Sequence, residues 1–221
     1  MLSAENKQMR GGKITASQFW KVVSLKGKLT ETAITYLYEV IAEIMTNGLS
    51  IDTNEFSSRA TDWGNEYEPI ARKVYAEYKG VEVKESKFTE HSLYAGCTPD
   101  GEIDADNGLL EIKCPYVSAN HLKLLLCETP EDLLKTKKEY YWQCQFQLYC
   151  TGRSYVDFIS YDPRTNPLYC LHILRINRDE AVMQEVEKHL QAGVEFIKET
   201  INQILTKNKK YEKAIKEKRI N

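Results

Sequence analysis

The chain has 221 residues, 42% of them apolar and 28% charged, with a formal net charge of −2. This composition excludes a disordered or fibrous chain, and the length allows one domain with a substantial core or at most two small ones. The charge lacks the basic excess by which nucleic-acid-binding proteins usually show themselves, so composition argues against DNA unless basic residues are concentrated inside a channel.

The opening MLSAENKQMRGGK contains no apolar h-region. No later run approaches the roughly 18 apolar residues of a membrane span, so no membrane partner is expected. Thr15 to Ser24 reads as a short helix, and ETAITYLYEVIAEIMTNG as a longer one ending at Gly48. Ser57 to Tyr78 is helical by period, with Trp63, Tyr67, Ile70, Ala71, Val74 and Tyr78 on one face and a stop at Lys79-Gly80. The period then changes to two. VEVKESKF, SLYAGCTPDGEID and GLLEIKCP read as three strands joined by tight polar turns, one of them through Asp106-Asn107-Gly108. Tyr116 to Cys127 and Tyr140 to Cys150 read as helices, and YVDFISYD and LYCLHILRI as two further strands separated by Pro163 to Pro167. From Asp179, Val182, Val186, Leu190, Val194, Ile197, Ile201 and Leu205 keep helical spacing and predict a long closing helix over about 179–216. The order of elements is α/β, and residues 1–221 are expected to form a single domain. Cysteines 97, 114, 127, 144, 150 and 170 include no C-x-x-C pair and read as reduced thiols of a cytoplasmic protein.

The segment TPDGEIDADNGLLEIKCP carries the strongest chemical signal. Glu-x-Lys alone is weak, since it occurs five times in the chain. Around Glu111 and Lys113, however, Leu109, Leu110, Ile112 and Cys114 predict a buried strand. Residues i and i+2 of a strand share a face, so the two charges point the same way from an apolar element, with Asp100 at the start of the neighbouring strand. Buried carboxylates need protons or a cation. Asp100, Glu111 and the backbone carbonyl of Ile112 suit Mg²⁺, which takes few carboxylates and completes its octahedron with water and phosphate oxygens. Lys113 would then stand beside the reacting phosphate. The same residues also fit a wet hairpin with an i,i+2 ion pair, and local pattern alone leaves both open.

Two helices add polar groups to apolar surroundings: Glu68 follows Trp63 and Tyr67, and Gln143 and Gln145 lie within YYWQCQFQLYC. Near the N-terminus, Thr15-x-x-Gln18 forms a candidate capping box, with Ser17 in the first turn and Arg10 before a Gly11-Gly12 pair. An anion site at the helix start and an ordinary capped helix both fit this pattern. The basic run KNKKYEKAIKEKRI reads as a solvated helix end.

Taken in order, WGxxYE, PDG, GLLEIKCP, YxxQxQ and SYDPR resemble the phage lambda exonuclease family, the YqaJ-type viral recombinases. The resemblance runs from MRGGKITAS through Arg164. It implies a restriction-endonuclease-like PD-(D/E)xK core, with a central mixed β-sheet flanked by helices. It also implies Mg²⁺-dependent 5′→3′ exonuclease activity on linear double-stranded DNA, with one or two ions and with Mn²⁺ able to substitute. By motif match, Asp100 and Glu111 are the metal carboxylates, Lys113 the catalytic lysine, Glu68 the helix-borne acid supporting the metals through water, and Gln143 the glutamine flanking the site. Arg10 and Ser17 match residues that bind the terminal 5′-phosphate. Thr98 stands where the phage lambda enzyme has a serine directed at the same phosphate, and Gln143 borders this pocket too.

The resemblance further implies a homotrimeric ring around DNA, which would reconcile the acidic net charge with a basic channel. It implies a single-strand-annealing recombinase as partner, and a phage or prophage origin in a bacterial cytoplasm. The competing readings are a RecB-like or CRISPR-adaptation nuclease, an endonuclease, and a non-catalytic DNA-end-binding module. The scattered cysteines lack the iron–sulfur spacing of many such nucleases, and the acids and lysine needed for catalysis are all present.

Overall fold

The computed structural model of the protein describes residues 9–24, 27–48 and 58–219, with side chains up to residue 209. Two sheets organise the chain. The first has three strands, β1 (Ile14–Thr15), β2 (Thr89–Ser92) and β3 (Ala95–Cys97), in the order β1-β3-β2. The second has four, β4 (Gly101–Ile103), β5 (Gly108–Lys113), β6 (Tyr155–Tyr161) and β7 (Leu171–Asn177), in that order. β5 and β6 are parallel, with Glu111 opposite Phe158, whereas β4 and β7 run antiparallel to their neighbours. The sheet is therefore mixed, and the β5–β6 crossover carries three helices.

The helices are α1 (Ala16–Phe19), α2 (Glu31–Met45), α3 (Arg59–Lys79), α4 (Ser118–Leu124), α5 (Pro130–Thr136), α6 (Lys138–Thr151) and α7 (Glu180–Arg219). Their ends follow local chemistry. Thr30 Oγ1 and Ser58 Oγ accept from the Ala33 and Thr61 amides at 3.2 Å, which caps α2 and α3. Gly80 and Gly152 end α3 and α6 in the left-handed conformation.

Each face of the four-stranded sheet has its own core. Leu109, Val156, Phe158 and Leu174 pack with Phe146, Leu148, Val186 and Ile197 from α6 and α7. On the other face Leu110, Ile112, Tyr155 and Ile159 pack with Ala71 and Tyr75 from α3. The alternation along β5 thus turns Leu109, Glu111 and Lys113 toward α6, and Leu110 and Ile112 toward α3.

Several expected elements differ. Thr15–Ser24 is helical only over Ala16–Phe19, and Thr15 makes no side-chain cap bond, so the expected capping box is absent. The Thr15 amide instead donates to the Tyr36 hydroxyl at 3.2 Å, which ties this turn to α2. Val81–Phe88 alternates like a strand, but its ladder is one isolated bridge between Lys84 and Glu102, because β4 is only three residues long. The expected strand over 92–104 is two strands in different sheets. Tyr116–Cys127 is helical only over Ser118–Leu124, and α5 was not anticipated. On α3 the buried side chains are Ala71 and Tyr75, while Ile70 and Tyr78 face solvent. On α7 Met183 joins the buried face and Leu205 is exposed. The run from Lys207 continues the helix to Arg219.

Candidate active site

The seam between the two sheets holds the site. β3 ends at Cys97 and β4 starts at Gly101, so Thr98-Pro99-Asp100 crosses from one sheet to the other. A cavity of about 170 Å³ opens there, lined by Arg10, Ser17, Glu68, Thr98, Asp100, Glu111, Ile112, Lys113 and Gln143, among others. Every residue expected at the site, from five separate stretches of chain, meets in this one cavity.

Asp100 is fixed at both ends. Its amide donates to Leu110 O at 3.0 Å, and its Oδ2 accepts from the Ile112 amide at 2.7 Å. Glu111 is fully buried. Its Oε1 pairs with the Lys113 ammonium, and its Oε2 accepts from Gln147 Nε2 at 2.6 Å. The Lys113 ammonium also lies 5.2 Å over the Tyr140 ring. Burial lifts the Asp100 carboxyl well above the ordinary carboxylate range, and the nearby Glu111 charge pushes the same way. Burial opposes the Lys113 charge, but Glu111 and Asp100 outweigh it and hold the ammonium above its usual range. Burial raises Glu68 as well, while Arg72 draws it back down.

Among the described residues, no group of three or more acidic, histidine or cysteine side chains is placed to hold a metal ion. Asp100, Glu111 and Ile112 all line the cavity, so two carboxylates and a backbone carbonyl make a smaller candidate oxygen set. That donor set fits Mg²⁺ or Mn²⁺, which take oxygen ligands and leave positions for water and phosphate.

Across the cavity, α1 spans only one turn, so little helix dipole is available and an anion would rest on side chains. The Thr98 hydroxyl is buried and has no hydrogen-bond partner among the described residues. Burial lowers the Arg10 pKa, opposed by Tyr36 and Asp100, yet guanidinium stays charged in proteins. The turn carrying Arg10 is anchored by Glu43, whose Oε2 accepts from the Gly12 amide at 2.8 Å. Gly12 has φ +71°, and a Cβ there would meet Ile44 Cγ1 at 2.7 Å. Only glycine fits this approach to α2.

Sequence reasoning missed three supporting residues. Arg72 donates from Nη2 to Glu68 Oε1 at 2.8 Å and from Nε to Asp100 O at 3.0 Å, which joins α3 to the seam. Gln147 holds Glu111. Glu43 holds the Arg10 turn. Each carried a signal: Arg72 lies four residues after Glu68, Gln147 four after Gln143, and Glu43 is an acid in the last turn of a helix, where the dipole disfavours it. Gln145, one of the two glutamines singled out, does not line the cavity. Its Oε1 is buried without a hydrogen-bond partner among the described residues.

The family profile of the YqaJ-like viral recombinase domain matches residues 5–154. The crystal structure of the alkaline exonuclease LHK-Exo from Laribacter hongkongensis is similar with a TM-score of 0.78 at 30% identity, over 95% of this chain and 100% of that one. The same enzyme in complex with dAMP gives 0.80 at 32% identity, with the same coverage. A phage-related exonuclease from Haemophilus somnus 129PT, 18% identical with a TM-score of 0.66 over 90% of this chain and 99% of its own, shares the fold. No curated protein sequence matches the chain. With its mixed sheet flanked by helices and restriction-endonuclease-like architecture, the chain belongs to the YqaJ-like viral recombinase domain family.

Proposed function

We propose that the protein is a divalent-metal-dependent exonuclease that degrades one strand of linear double-stranded DNA 5′→3′ from phosphorylated ends. It would leave 3′ single-stranded tails for a single-strand-annealing recombinase. The carrying observation is that one cavity joins a hydrolytic set, Asp100, Glu111, Lys113 and the Ile112 carbonyl, to a cationic and hydroxylic set, Arg10, Ser17 and Thr98. Family membership supports a nuclease. The relative from Laribacter hongkongensis takes dAMP, a deoxynucleoside monophosphate of the kind this reaction releases.

The chain's own groups divide the work. Asp100, Glu111 and Ile112 O would hold Mg²⁺ or Mn²⁺. Bound there, such an ion would supply Lewis-acid chemistry to the phosphodiester. Lys113, a compact ammonium with three donors, stabilises the charge that builds on the phosphate oxygens. Glu68, steadied by Arg72, and Gln143 order water at the rim. Arg10 binds the 5′-phosphate in a charge-assisted, two-pronged contact, with Ser17 and Thr98 supplying hydroxyl donors. Each cleavage creates a new 5′-phosphate, so the same pocket draws the strand forward by one nucleotide. A ring of three subunits around the duplex would place the basic residues inside and leave the acidic balance outside. The proposed site of action is the bacterial cytoplasm; no helix among the described residues is long and apolar enough to cross a membrane.

The test is digestion of end-labelled linear duplexes with and without a 5′-phosphate and with and without Mg²⁺, beside a covalently closed circle. The reading expects release of 5′-mononucleotides from phosphorylated linear ends only when metal is present. Sustained cutting of the closed circle would refute it.

A further inference from the structure

Gln147 is fully buried on α6, between Phe146 and Leu148 of the core in sequence. Its amide is half used. Nε2 donates to Glu111 Oε2 at 2.6 Å, while Oε1 is buried without a hydrogen-bond partner among the described residues. A flipped amide would set oxygen against carboxylate oxygen, so the chemistry fixes the amide with nitrogen toward Glu111. A buried amide with one unmet acceptor is unfavourable. Among the described residues, the bond to Glu111 is the one that this side chain makes. Lys113 holds the other oxygen of the same carboxylate.

We propose that Gln147 is a positioning residue for the divalent-ion site: together with Lys113 it clamps the Glu111 carboxylate in the orientation that lines the cavity with Asp100. The inference rests on the metal-site reading above. Each carboxylate oxygen has two lone pairs, so a donor on Oε2 leaves capacity for a cation. Without Gln147, Glu111 can rotate further onto Lys113 and withdraw from the cavity. Losing such an outer partner typically weakens metal binding about 10–100-fold.

The test titrates Mn²⁺ into DNA-free protein and reads free Mn²⁺ by electron paramagnetic resonance, for wild type, Gln147→Met and Gln147→Asn. Methionine keeps the length without the donor; asparagine keeps the donor but is one methylene too short. Wild type is expected to bind Mn²⁺, with both variants binding about tenfold more weakly while still unfolding in one cooperative thermal transition. In hydrolysis assays the Mg²⁺ concentration for half-maximal rate should rise by the same factor. KM for DNA ends should stay unchanged, and excess Mn²⁺ should restore kcat. Wild-type Mn²⁺ affinity in the variant that folds, or a kcat loss that excess metal does not restore, overturns the inference. Absence of Mn²⁺ binding by wild type itself would instead overturn the metal-site reading beneath it.

Discussion

Thr98→Val separates a phosphate-binding hydroxyl from a structural one, because the two roles predict opposite signs. The Thr98 hydroxyl is buried at the cavity wall with no hydrogen-bond partner among the described residues. In the ligand-free protein it bears an unmet desolvation penalty of about 1–2 kcal/mol, and valine, of nearly the same shape, removes it. Relief of about 1 kcal/mol raises the melting midpoint of a chain this long by about 2–4 °C. With a 5′-phosphate seated, the same hydroxyl would gain a hydrogen bond of about 1 kcal/mol, so its loss lowers the preference for phosphorylated ends about fivefold. Calorimetry in chelator without DNA reads the first effect. Initial rates on 5′-phosphate and 5′-hydroxyl duplexes read the second. A lower melting midpoint together with an unchanged end preference would show the hydroxyl to be structural and refute the reasoning.

Arg10→Ala should reduce the 5′-phosphate preference more, by about 2 kcal/mol or roughly thirtyfold, as a charge-assisted contact is lost; a wild-type ratio on the two substrates would exclude the role. Asp100→Ala and Lys113→Ala should each abolish hydrolysis while a band-shift assay still detects end binding, and undiminished degradation by both would remove the mechanism. Arg72→Met cuts the bonds to Glu68 and to the Asp100 carbonyl, and should lower kcat about tenfold with KM for DNA unchanged. Gly96→Ala probes the fold alone. Its Cβ would meet the Phe88 ring at 2.3 Å and Thr89 O at 2.8 Å, so chemical denaturation should show a loss of about 1–3 kcal/mol.

The chemistry-bearing strand was legible because its neighbours are apolar. Leu109, Leu110 and Ile112 predicted burial of Glu111, and the strand is buried as expected. Helix periods were legible for the same reason, but faces were not. Tyr75 is buried on α3 because its hydroxyl donates to Asp157 Oδ2 at 2.6 Å, across 82 positions of sequence. Asp157 in turn receives both arms of Arg175, at 2.7 and 2.8 Å. No local window contains such a network. Tyr78, one turn further, lies open to solvent. Gln147 and Arg72 escaped notice similarly: four-residue spacing placed each beside a named residue, but their partners on β5 and at the seam are fixed only by tertiary contact.

What the alternating run from Ser92 to Asp104 hides is more consequential than a misplaced boundary. Read locally, it is one strand; in the fold it leaves one sheet at Cys97 and enters another at Gly101. Thr98 and Asp100 sit two residues apart in that passage, with buried Pro99 between them. Proline fixes its own φ and restricts the residue before it to extended backbone. The Leu110 and Ile112 backbone and the Arg72 guanidinium then hold Asp100 from three sides. The hydroxyl assigned to the terminal phosphate and the carboxylate assigned to the ion are thus set on one short, rigid rung. On the proposed reading, that rung measures the step. On that reading, the two residues of backbone between Thr98 and Asp100 would set the gap between the terminal phosphate and the bond next cleaved.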